Sequence, residues 1–102
     1  MKYMTTAKPG ITPIPPDQAV NLLQASKAWI DAKLADGSLD CTYNFFGGGG
    51  FAIGNGDSHE AILNDLLDYP MYPFFTWEVV PLLDYEQSFE QYVNFYKKLT
   101  GM

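Results

Sequence analysis

The apolar residues switch between a period of two and a period of about 3.6 along the chain, and the order of those switches constrains the fold more than any other feature. Residues 1–7 (Met-Lys-Tyr-Met-Thr-Thr-Ala) predict a short strand, stopped at Lys8-Pro9-Gly10. Pro9, Pro13, Pro15 and Pro16 then keep the chain extended, and Pro16 suits the start of a helix. Residues 17–36 follow the helical period through Ala19, Val20, Leu23, Ile30 and Leu34, with Trp29 on one flank and Gly37 as the stop. Residues 39–46 alternate, with Leu39, Cys41, Tyr43 and Phe45 on one face. The run Gly47-Gly48-Gly49-Gly50 leads into a second alternating run, residues 51–55, which predicts a hairpin.

Asp57 and Glu60 stand three apart, as a capping box requires, ahead of Ile62, Leu63, Leu66 and Leu67. That second helix ends near Pro70. Residues 74–80 alternate again, with Phe75, Trp77 and Val79 on one face, and Pro81 is expected to end the strand. The tail, 84–100, is a third helix with the stripe Tyr85, Phe89, Tyr92, Val93, Tyr96 and Leu99. Glu86 and Glu90 come early in it and Lys97 and Lys98 late, which complements the helix dipole. The order is strand, helix, strand, strand, helix, strand, then an added helix. The first six elements make the split βαβ, ferredoxin-like arrangement of the α+β class. The 102 residues suit a single domain spanning 1–102. Two helices cover one sheet face, so the other asks for a second sheet, and a homodimer or larger homo-oligomer is expected.

Composition narrows the function. The charge is −6, and no arginine is present. Nucleic-acid partners want a basic, Arg-bearing surface and are not expected. No apolar run approaches the ~20 residues of a membrane span, so no membrane partner is expected. No secretory leader is visible, so a cytoplasmic location is expected. Cys41 is alone and His59 is the one imidazole, which excludes a Cys-rich or two-His metal centre. No metal and no cofactor are called for. The glycine run lacks the following helix and Lys-Ser/Thr of a phosphate loop.

Glu78 sits inside the very apolar run Phe74–Val80. A carboxylate there either reaches solvent or is enclosed, and an enclosed one serves as a general base or acid near neutrality. Lys27 falls within roughly 40° of the line through Leu23 and Ile30, so it snorkels, attracts an anion or pairs with Glu78. Asp40, Tyr43 and Asn44 are polar groups on a strand that can line a cavity, and His59 opens the second helix.

The block Pro70-Met71-Tyr72-Pro73-Phe74-Phe75-Thr76-Trp77-Glu78-Val79-Val80-Pro81-Leu82 resembles the last strand of the muconolactone isomerase family. The helix start Asp57-Ser58-His59-Glu60 and the Lys27-Ala28 step resemble the same family. The resemblance covers about residues 1–83 and leaves out the tail helix. It implies a ferredoxin-like protomer pairing into a dimeric α/β barrel, with a small pocket between sheet and helices. It implies a proton moved around an unsaturated lactone without a cofactor, and it matches Lys27 and Glu78 to polar positions of the family. Two functions are therefore expected. The first is binding of a small apolar or weakly anionic ligand among Tyr43, Phe45, Phe51, His59 and Trp77. The second is a cofactor-free isomerase in which Glu78 shuttles the proton and Lys27 steadies the enolate. A third reading is a structural module whose tail helix docks a partner.

Overall fold

The computed structural model describes residues 1–101. The elements run β1 (Lys2–Pro9), α1 (Ala19–Ala35), β2 (Leu39–Asn44), β3 (Gly50–Asn55), α2 (His59–Leu67), a 3-10 turn (Tyr72–Phe74), β4 (Phe75–Leu82) and α3 (Tyr85–Thr100). The four strands form one antiparallel sheet in the order β2-β3-β1-β4. The fold is α+β and ferredoxin-like.

Register sorts the side chains onto two faces. Thr5 lies opposite Ala52 and Val79, and Ala7 opposite Gly50 and Trp77. These residues, with Tyr3 and Phe75, form the inner face beneath α1 and α2. Met4, Thr6, Phe51, Ile53, Glu78 and Val80 form the outer face.

Several expectations are corrected. The register of β2 shifts between Leu39 and Cys41. Leu39 therefore shares the inner face with Thr42 and Asn44, while Cys41 and Tyr43 go to the outer one. A bulge adds one residue and swaps every face beyond it. β4 continues through Pro81 to Leu82 rather than stopping at the proline. It is an edge strand, where a nitrogen that faces away from the sheet has no ladder bond to lose. The cap of α2 is Ser58 and not Asp57: its hydroxyl accepts from the Ala61 N–H at 3.1 Å.

The stripe that α1 buries is also rotated from the expected one. Ala19, Leu22, Ser26, Trp29, Ile30 and Lys33 face the sheet, so Ala19 and Ile30 keep their expected places, while Val20, Leu23 and Leu34 are exposed. The indole decides this rotation. Trp29 meets the Tyr69 ring edge to face at 5.1 Å, and Lys33 lies over the indole at 5.4 Å while pairing with Asp65 at 3.2 Å. One large ring with an aromatic partner outweighs the burial of three smaller aliphatic side chains.

Candidate functional site: a cavity between sheet and helices

The inner face of the two central strands carries Thr5, Ala7, Gly50 and Ala52, which are all small. Above them stand the large rings of Trp29, Tyr69 and Trp77. Small residues below and rigid rings above leave space, and a cavity of about 680 Å³ lies between sheet, α1 and α2. That size suits a small organic ligand.

Its aromatic wall is ordered by contacts and one hydrogen bond. Tyr69 meets Trp77 at 5.7 Å and 90°, and Tyr72 stacks on Trp77 at 5.7 Å and 15°. The Trp77 Nε1–H donates to the Tyr72 carbonyl at 3.0 Å, which fixes the indole plane. With its N–H engaged, Trp77 presents only apolar surface to the cavity.

The polar groups are few. Thr42 spends its hydroxyl on the Phe51 carbonyl at 3.0 Å. Ser26 is buried, and its Oγ, closed off from solvent, lies beside the Tyr69 phenol with no hydrogen bond of normal geometry among the described residues. Beside it, burial pushes the Tyr69 phenol up from its ordinary value, an effect the Ser26 hydroxyl partly opposes. The phenol thus keeps its proton through neutral pH and can donate it in a hydrogen bond.

The structure brings together some of the expected site residues and separates others. Lys27, Phe45 and Trp77 border the cavity, and so does Phe51, although the register puts its side chain on the outer face. The Lys27 ammonium is held by Asp31 at 2.7 Å and is largely exposed, so it stands at the rim and not inside. Phe51 stacks on Phe45 at 6.1 Å and on Tyr43 at 5.9 Å. Tyr43 itself is exposed on the outer side, because of the β2 bulge. Glu78 is exposed on the outer face, since it neighbours the inward Trp77 and successive strand residues alternate. Glu78 and Lys27 therefore do not meet. His59 lines a separate cavity of about 290 Å³ with Val79 and Pro81, and its Nδ1 lies 2.7 Å from the Tyr3 hydroxyl. Asn44 borders the main cavity, whereas Asp40 is tied to Lys2 and Asn55.

Ser26 and Tyr69 are absent from the expected site. A signal for Ser26 existed: it stands midway between Leu22 and Trp29 at helical spacing. Tyr69 sits just past a helix end, where no periodicity marks it.

No protein-family model and no curated protein sequence matches the chain. Solved structures do. A muconolactone isomerase superposes with a TM-score of 0.73 at 19% identity, covering 82% of this chain and 90% of that one. A 5-chloro-2-hydroxyhydroquinone dehydrochlorinase from Burkholderia phenoliruptrix, in complex with 2,5-dihydroxybenzoquinone, superposes with a TM-score of 0.66 at 14% identity, covering 81% and 94%. What is shared at such identities is the architecture, and the chain has the ferredoxin-like fold of muconolactone isomerase.

Proposed function

We propose that the chain binds a small, flat, unsaturated molecule bearing a ring oxygen in the cavity between the sheet and helices α1 and α2. The observation that carries this reading is the cavity wall itself, where the rings of Trp29, Tyr69 and Trp77 stand over the small side chains of the two central strands. Trp29, Tyr69 and Trp77 offer faces and edges to a flat ring. The protonated Tyr69 phenol offers a hydrogen bond to one oxygen. Lys27 at the rim favours a neutral or weakly anionic ligand over a cation. The quinone bound by the dehydrochlorinase of the same fold has this chemistry.

The geometry favours binding over proton transfer by Glu78. Within one protomer that carboxylate stands on the far side of the sheet and does not reach a ligand in the cavity.

The test is a titration with 2,5-dihydroxybenzoquinone followed by tryptophan fluorescence, since Trp29 and Trp77 both border the cavity. Saturable quenching is expected. Tyr69→Phe should weaken binding by roughly fivefold to tenfold, the worth of one hydrogen bond, and Glu78→Gln should leave it unchanged. No saturable quenching, or equal affinity in Tyr69→Phe, refutes the assignment.

A further inference from the structure

Helix α3 stands apart from the rest of the molecule. The chain is 65 Å long but only 29 by 24 Å across, and a helix of this length spans about 24 Å. Tyr85, Phe89, Tyr92, Val93, Tyr96 and Leu99 are each half exposed or more. A helix of 16 residues is marginal in water by itself and draws its stability from packing an apolar face. Its stripe therefore needs a cover that its own chain does not supply.

Two features of α3 identify that cover. The first is spacing. Tyr85, Phe89, Tyr92, Tyr96 and Leu99 follow one another at alternating steps of four and three, the seam of a helix that packs along another helix. The second is charge. Glu86 borders that seam, and Glu90 and Lys97 stand on the same side one step further round, roughly 120–140° from the middle of the seam at 100° per residue, with both acids in the first half and the base in the second. Among the described residues none of the three has an ion-pair partner. In an antiparallel pair of identical helices, like flanks meet. Lys97 of one helix then comes level with Glu86 and Glu90 of the other, and the reverse holds by symmetry. A parallel pair would set this flank against the opposite one, where Ser88 and Phe95 stand.

We propose that α3 is a self-association helix, which pairs antiparallel with α3 of a second copy of this chain. The apolar surface suffices. Five aromatic rings (Tyr85, Phe89, Tyr92, Phe95 and Tyr96) at roughly 200 Å² each, over half exposed, offer on the order of 600 Å² per helix. Two helices then bury about 1,200 Å², the lower end of stable interfaces. A lipid surface fits α3 less well. Its polar side carries as many acids as lysines, and the whole chain is at −6, so anionic headgroups would be repelled.

Sedimentation of the full chain tests the pairing, with circular dichroism confirming the fold of each variant. The double reversals Glu86→Lys with Glu90→Lys, and Lys97→Glu with Lys98→Glu, should each raise the dissociation constant by roughly tenfold or more. Mixing the two variants should restore association, because each then offers what the other lacks. Tyr92→Glu, at the centre of the seam, should remove the association. The proposal is overturned if the parent is monomeric at high micromolar concentration, or if all these variants assemble like the parent, as they would when copies meet only through the outer sheet face. Binding of the helix to phosphatidylserine vesicles with no self-association would overturn it in favour of a membrane role.

Discussion

Gly49 shows how a single residue sets the mouth of the cavity. Its φ is +77°, and a Cβ placed there would run into the Ala7 carbonyl oxygen on the neighbouring strand. The hairpin thus closes over β1 only because nothing stands at that position. Gly37 also has a positive φ, +83°, yet a Cβ there would meet open space. The two sites separate strain from collision. Gly37→Ala should cost about 1 kcal/mol, the strain alone. Gly49→Ala should cost about 3 kcal/mol or more, because backbone must also move. Urea unfolding midpoints of the two variants check the difference, and equal losses would contradict it. Both glycines are plain in the sequence. That only one of them abuts another strand is not, since the contact depends on how the hairpin folds back.

At the scale of elements, the helices divide by what holds them. α2 is capped by Ser58 and buries Ile62 against the sheet. Ser58→Ala should lower global stability by about 1 kcal/mol, because the helix melts with the body. α3 is capped by Asp84, whose carboxylate accepts from the Glu86 and Gln87 N–H groups at 2.9 and 3.2 Å, and it ends on Gly101 at a φ of +72°. Asp84→Ala should reduce far-ultraviolet helical signal and leave the cooperative unfolding midpoint of the sheet in place. A drop in that midpoint as large as the one in Ser58→Ala would show that α3 packs on its own chain after all. Caps and stops are local chemistry, so the helices were legible in the sequence almost to their ends. The side that α1 buries was not. Val20, Leu23 and Leu34 compete with Trp29 for the sheet, and the contest is settled by Tyr69, some forty residues away in sequence.

The whole molecule is a cavity-bearing body with a helix extending from it, and no residue of α3 borders the main cavity. A chain ended at Leu83 should therefore answer 2,5-dihydroxybenzoquinone with the same quenching, its affinity within about twofold of the parent's. Loss of the response on truncation would mean that the tail shapes the cavity. The sequence by itself determined the kinds of element, their order, the hairpin at the glycines and the ferredoxin-like topology, because periodicity, caps and turns act over a few residues. Trp77 and Phe45, two of the rings it offered for a pocket, border the cavity. Tertiary structure alone decided which face each side chain takes. One extra residue in β2 turned Tyr43 outward, and alternation about Trp77 sent Glu78 to the side opposite Lys27. It also decided that Ser26, an ordinary polar residue in a helix, is buried beside the Tyr69 phenol. Such facts arise where segments distant in sequence meet, and their energies depend on which groups are excluded from water together.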